Sequence, residues 1–235
     1  MPVCLRTGSV ADLAAQALPA RAWMAPAELT RLCGMQSTAR TAQFIAGRWL
    51  ARHLLAENFG GHWRDWTLSG GGDGPPEATG PQLAFLSLSH SGDRLACAVS
   101  DQPVGLDIER CRPRKGADAL LQAITTEAER AALSTPGPGT EPAGQLQALF
   151  QMWTLKEAWL KRHGGGLFST MLGKAVEARP ANLADADACT WSERDVVLAL
   201  CASNLRDMTG GAMPDLRGWR MVPAEPTSLP ERPAA

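Results

Sequence analysis

The chain has 235 residues, enough for one large domain or two small ones and for a substantial core. Its 45% hydrophobic and 20% charged content is that of an ordinary soluble protein, and a net charge of −1 argues against the strongly basic face of a general nucleic-acid binder. The amino terminus lacks a basic flank followed by an apolar run, and no stretch reaches the ~20 apolar residues of a membrane span, so a cytoplasmic protein without membrane contact is expected. The six cysteines are scattered, with no C-x-x-C pair, which predicts reduced thiols and no zinc.

In chain order, the first strong pattern is an amphipathic helix over 41–57, where Ile45, Trp49, Leu50 and Leu54 recur at helical spacing. Arg48 and Arg52, four apart, share a different face of it and can act together. The glycine- and proline-rich run 69–76 predicts a loop, and it lacks the spacing of a nucleotide-binding P-loop. Residues 83–89 and 95–100 predict two strands, joined by a polar turn over 90–93 that contains His90.

A third strand is predicted over 103–109, with Pro103 at its start, where a missing donor does little harm. Alternation sends Leu106 and Ile108 to one face and Gly105, Asp107 and Glu109 to the other, so two carboxylates stand side by side. Residues 126–133 open like a capped helix, and 135–144 reads as an exposed loop. The clearest helix is 146–162: Met152, Leu155 and Trp159 form a core stripe, while Trp153, Glu157 and Lys161 recur every four residues beside it. It stops at the glycines from Gly164 to Gly166. Short strands are expected over 175–178, 190–191, 196–203 and 219–222, followed by a loose tail over 223–235. Helix then strands occur twice, dividing the chain near Asp101.

Asp107 and Glu109 alone are a weak signal; with Glu157, in a segment rich in lysine, they become a candidate site for a hard cation. An oxygen-only donor set without histidine or cysteine suits magnesium, which binds a few carboxylates together with water and substrate phosphate. A phosphate or pyrophosphate substrate follows, with a lysine balancing its charge and a remaining carboxylate accepting a proton.

At these residues the chain resembles the 4′-phosphopantetheinyl transferase superfamily, in its Sfp-type, single-chain pseudodimeric branch. The motif G-x-D-x-E is matched by Gly105, Asp107 and Glu109, and W-x-x-K-E-A/S-x-x-K by Trp153, Lys156, Glu157, Ala158 and Lys161. Three further segments are similar: the helix with Gly47 and Arg48, the S-H-S element at Ser89, His90 and Ser91, and the glycine-rich stretch from Lys161 to Leu167. The resemblance runs from about Glu28 to Ala178.

The resemblance implies an α+β fold of two similar halves related by a pseudo-twofold, with the active site in the cleft between them. The first half would comprise residues 1–101, on the coenzyme A 3′-phosphate side, and the second residues 102–222, with the acids and the catalytic helix. It implies an enzyme that moves 4′-phosphopantetheine from coenzyme A to a serine of an apo acyl, polyketide or peptidyl carrier protein, releasing adenosine 3′,5′-bisphosphate. The protein would be a monomer that uses Mg2+ and binds no nucleic acid. Carried over by position, Asp107, Glu109 and Glu157 would hold magnesium, Lys161 would contact the phosphates, and Glu157 would help deprotonate the serine. Arg48, Ser89 and His90 would grip the 3′-phosphate, with Lys156 adding charge nearby. Glu129, or Glu127 after a slip of register, takes the place of a further family acid. In one departure, a basic residue usual ahead of the S-H-S strand is replaced by Pro75, leaving Arg40 or Arg52 to compensate and Arg31 as a further cation. Trp153 and Trp159 are assigned to packing.

Two other readings stay open. A non-catalytic carrier- or coenzyme-binding module would have little chemical need for all of Asp107, Glu109, Glu157 and Lys161. A magnesium-dependent nuclease would place a lysine two positions after an acid on the same strand, where Arg110 and Cys111 follow Glu109 instead.

Overall fold

Two helices, each laid across its own antiparallel sheet, set the architecture. The computed structural model describes residues 2–70, 76–134, 144–164, 172, 174–211 and 213–223. The first sheet has the order β1-β5-β4, with β1 Cys4–Ser9, β4 Phe85–Ser91 and β5 Arg94–Ser100. Its helix, α3 (Thr38–Phe59), buries Leu50, Leu54 and Leu55 against Leu95, Cys97 and Val99. Two short helices, α1 (Val10–Gln16) and α2 (Pro26–Cys33), precede α3, and a hairpin of β2 (Thr67–Gly70) and β3 (Pro76–Thr79) follows it.

The second sheet has the order β6-β9-β8-β10-β7, with β6 Gly105–Arg110, β7 Val176–Ala181, β8 Ala188–Glu193, β9 Val196–Cys201 and β10 Arg217–Pro223. Helices α4 (Ala117–Ile124), α5 (Glu127–Ser134) and α6 (Gln145–His163) belong to this part. Helix α6 buries Met152, Leu155 and Ala158 against Ala188, Ala199 and Cys201. A third cluster joins the opposite faces of the two sheets: Ala96 and Ala98 of β5 meet Leu106, Ile108, Leu198, Leu200 and Trp191. The described residues thus form a mixed α/β fold with a shared apolar layer between two helix-backed sheets, and the predicted faces of β6 are those observed.

Between the sheets, β4 and β6 are joined by side chains. Ser87 Oγ accepts from Leu106 N–H at 2.9 Å, Ser89 Oγ from Ile108 N–H at 3.3 Å, and Ser91 Oγ from Arg110 N–H at 3.1 Å. Both partners advance by two residues at each step, so the strands run parallel and every second β4 side chain faces β6. This seam holds the acid-bearing strand in register against the first sheet.

The structure corrects the sequence expectation at this point. The expected turn over 90–93 shrinks to Gly92 and Asp93, with Ser91 paired to Arg94, because Gly92 adopts φ 63° and closes a two-residue hairpin. His90 and Ser91 therefore lie on the strand. The expected loop over 69–76 also changes: Ser69 and Gly70 pair with Glu77 and Pro76, while 71–75, including Pro75, lies outside the described residues. Most of the expected loop over 135–144, the glycines after Gly164 and the tail beyond Pro223 lie outside them too. No helix among the described residues is long and apolar enough to cross a membrane.

Candidate functional site

Gly105 explains how strand and helix come close enough to share a site. A Cβ there would overlap the carbonyl oxygen of Ala158 and reach 2.7 Å from the backbone nitrogen of Arg162. Only a residue without a side chain lets β6 run this close to α6, and the helix then offers Glu157 and Lys161 to the strand's acids.

At the centre, Lys161 Nζ donates to Asp107 Oδ1 at 2.7 Å, to Ser89 Oγ at 3.0 Å and to the Leu106 carbonyl at 3.1 Å. Ser89 Oγ also donates to Asp107 Oδ1 at 2.7 Å, so this one carboxylate oxygen takes two bonds. The other, Oδ2, is buried without a partner. Two residues on, Ser91 Oγ donates to Glu109 Oε2 at 2.7 Å. Burial raises the carboxyl pKa of Glu109, opposed by the Ser91 bond and reinforced by Asp107. Burial also raises that of Glu157, with Asp107 and Glu109 adding to it and Lys161 opposing.

Three acids whose charges destabilise one another, beside an unpartnered buried oxygen, form a place that a cation would relieve. Among the described residues no three histidine, cysteine or acidic side chains converge into a ready cage. An ion here would therefore need water or a phosphate among its ligands besides the carboxylates. The donors are oxygen only, so Asp107, Glu109 and Glu157 could hold such an ion.

His90 points the other way. With Leu88, on the opposite face of β4 from the serines, it lines a cavity of about 410 Å³ whose walls also carry Arg31, Arg40, Phe44 and Arg48. Arg48 is 4% exposed; its Nη2 donates to the Gly70 carbonyl at 3.1 Å, and its Nη1 has no partner. The guanidinium groups of Arg31 and Arg48 lie 5.4 and 5.1 Å from the Phe44 ring centre. Desolvation lowers the Arg48 pKa, with Glu28 opposing. His90 is solvent-accessible yet crowded, and partial desolvation, then the Lys161 and Arg40 charges, hold its imidazole below the usual value. A cavity with three arginines and an unpaired buried N–H group is built for an anion.

Four expected contacts find other tasks. Ser89 faces Asp107 and the seam instead of the cavity, because strand alternation separates it from His90. Arg52, 1% exposed, is closed off: it makes two bonds to Glu28, at 3.1 and 2.5 Å, and one to the Trp66 carbonyl at 2.9 Å. Lys156, fully buried, donates to Glu129 Oε2 at 3.0 Å and to the Ile124 carbonyl at 2.5 Å. Glu129, also fully buried, caps α5 through Thr126 and accepts the Ala178 N–H at 2.8 Å. Lys156 and Glu129 thus tie α5 and β7 to α6, and Glu127 is exposed on α5. Trp153 and Trp159 are half-buried against the core, as their packing assignment expects.

The sequence reading did not assign Phe44 or Glu28 to this region. Phe44 stands one helical turn before Arg48, and that spacing is its signal. Glu28 has none, since an acid one turn into a short helix reads as ordinary dipole compensation.

A cluster of carboxylates beside an arginine-lined cavity defines a candidate class: a centre for a ligand with at least two separate anionic groups. Residues 103–201 match the family model of the 4′-phosphopantetheinyl transferase superfamily. The chain is 38% identical over 127 residues to the 4′-phosphopantetheinyl transferase AcpT of Salmonella typhi, covering 54% of this chain and 60% of that protein. It is 31% identical over 124 residues to the 4′-phosphopantetheinyl transferase psf-1 of Bacillus pumilus, covering 52% and 50%. To Sfp of Bacillus subtilis strain 168 it is 29% identical over 84 residues, covering 36% and 35%. The chain therefore spans at most 60% of the length of these relatives. The likeness to the 4′-phosphopantetheinyl transferase superfamily thus rests on residues 103–201 and on relatives matched over part of their length.

Proposed function

We propose that this protein transfers the 4′-phosphopantetheine group of coenzyme A to a serine hydroxyl of an apo acyl, polyketide or peptidyl carrier protein, releasing adenosine 3′,5′-bisphosphate. The observation that carries the reading is the unpartnered Asp107 Oδ2 beside two raised-pKa carboxylates, on the same strand seam whose other face opens to the arginine cavity. The names of the relatives supply the reaction.

In this reading Asp107, Glu109 and Glu157 hold magnesium, which when bound neutralises charge on the pyrophosphate oxygens. Arg48, Arg40 and His90 bind the 3′-phosphate end, with Arg31 beside them. Lys161, bonded to Asp107 and Ser89, contacts the phosphate that is cleaved. Glu157, beside the other two acids, helps take the proton of the incoming serine, directly or through water. The seam serines keep the two ends of the site at a fixed separation.

Residues 1–101 form the anion-binding half and 102–222 the metal half, related by a pseudo-twofold, with the carrier docking across the cleft of a monomer in the cytoplasm. The sheet division between Ser100 and Gly105 supports this partition. The test is a mass measurement: with magnesium and coenzyme A, an apo carrier from one of the three classes should gain one phosphopantetheine. No gain on any of them, with coenzyme A still bound, would leave a binding module. Arg48→Ala should weaken coenzyme A binding far more than binding of dephospho-coenzyme A; equal losses would take the 3′-phosphate away from the cavity.

A further inference from the structure

The three seam serines are not equivalent. Each accepts one backbone N–H of β6, yet only Ser89 and Ser91 also donate to an acid. A serine hydroxyl has one proton, and the N–H it accepts fixes how the oxygen is presented, so the proton is left to point at the carboxylate. For Glu109 the bond to Ser91 is the one side-chain hydrogen bond to its carboxylate among the described residues, with the Arg110 backbone N–H as a weaker neighbour. Oε2 is thereby held in the seam, and among the described residues no side chain donates to Oε1. Asp107 repeats the pattern two residues earlier, with Oδ1 held by Ser89 and Lys161 and Oδ2 unpartnered.

We propose that Ser91 is a positioning residue that acts through Glu109: it ties down one carboxylate oxygen so that the other is presented, already oriented, to the cation. The inference rests on the metal reading above and deepens it. Without this bond the half-buried glutamate would sample more rotamers, and ordering it on binding would weaken the site. Partners that orient a ligand in this way typically affect metal affinity by about tenfold to hundredfold when removed. Ser89 shares its carboxylate with Lys161, so its loss is partly covered; no second side chain among the described residues stands in for Ser91.

Ser87 supplies the control. It makes the same backbone bond in the same seam, to Leu106 N–H at 2.9 Å, and has no acid partner. Ser87→Ala therefore reports the seam alone, and Ser91→Ala the seam plus the positioning of Glu109. The experiment titrates Mn2+ by electron paramagnetic resonance against the protein supplied with coenzyme A, for the unaltered chain, Ser87→Ala, Ser91→Ala and the hydroxyl-retaining Ser91→Thr. Ser91→Ala should bind Mn2+ about tenfold or more weakly than Ser87→Ala, with Ser91→Thr close to the unaltered protein and coenzyme A affinity the same in all four. Equal Mn2+ affinity in the two alanine variants, at matched urea midpoints, overturns the positioning role and leaves the proposed function standing. An unaltered protein that takes up neither Mn2+ nor coenzyme A overturns both.

Discussion

Lys156 and Lys161 stand five residues apart on one helix and each pairs with a buried acid, yet their surroundings differ in kind. Lys156 is closed: its side chain and that of Glu129 are both fully buried, and each has further backbone partners. Lys161 is open: its side chain is 30% exposed, and the Asp107 it meets keeps a buried oxygen without a partner. A closed pair spends its hydrogen-bonding capacity within the protein and can only hold elements together. An open pair retains capacity that a ligand can use. The distinction is one of satisfaction, not of charge, and it separates a scaffold from a site.

The largest expected effect tests the open pair. Asp107→Asn should lower phosphopantetheine transfer by roughly 10³-fold or more, since several kcal/mol of charge stabilisation by a metal translate into that range. Its urea midpoint should change little, because the amide oxygen still accepts from Ser89 and Lys161, and the Lys161 side chain, 30% exposed, can be solvated when the ion pair is lost. A loss of stability with turnover kept would make Asp107 structural.

The closed pair should behave in the opposite way. Lys156→Met leaves Glu129 buried and unpaired and should cost about 3–5 kcal/mol in urea unfolding. Turnover per folded molecule should change by only a few-fold. The double variant Lys156→Met with Glu129→Gln should recover most of that stability; if it instead matches the single variant, charge balance is not what holds α5 to α6.

Gly105→Ala lies between the two, since it pushes β6 away from α6. A cost of about 1–3 kcal/mol is expected, as for overpacked sites, together with a fall in transfer as Lys161 and Asp107 separate. Stability lost with kcat unchanged would uncouple the close approach from the site.

The smallest effect concerns an aromatic cluster remote from both lysines. His53 lies 4.4 Å from Trp49 and 5.3 Å from Trp63, ring centre to ring centre, and its Nε2 is buried without a partner. Desolvation lowers its pKa, opposed by Glu57. The folded state thus favours neutral imidazole, so this contribution is present above an unfolded pKa near 6.5 and is lost as pH falls through the lower folded value. Tryptophan fluorescence and the urea midpoint should both change over that window, and His53→Gln should flatten the change. An unaltered profile in His53→Gln would place the titration elsewhere.

Legibility followed the length and periodicity of each element. The helix expected over 41–57 spans Thr38–Phe59, and that over 146–162 spans Gln145–His163, because many turns of apolar repeat outweigh any local ambiguity. The elements that patterning did not foresee, β1, α1, α2, α4 and the β2–β3 hairpin, are none longer than eight residues. Helices that short depend on tertiary packing more than on their own propensity. At the site, the acids of β6 and the Glu157–Lys161 spacing were readable because a strand repeats every two residues and a helix turn returns after four. The roles of Arg52, Lys156 and Ser89 were not, since a positive charge or a hydroxyl carries no mark of whether a partner closes it.

By itself, then, the sequence determined which residue types lie on which face of β6 and α6, and through two spaced motifs the family whose model residues 103–201 match. Only the tertiary structure decided which of those polar groups are already satisfied. Glu28 reaches Arg52 across 24 positions, Glu129 reaches Lys156 across 27, and Ser91 reaches Glu109 across 18. Hydrogen-bond satisfaction depends on distance and direction in space, and partners this far apart in the chain leave no periodic trace in it.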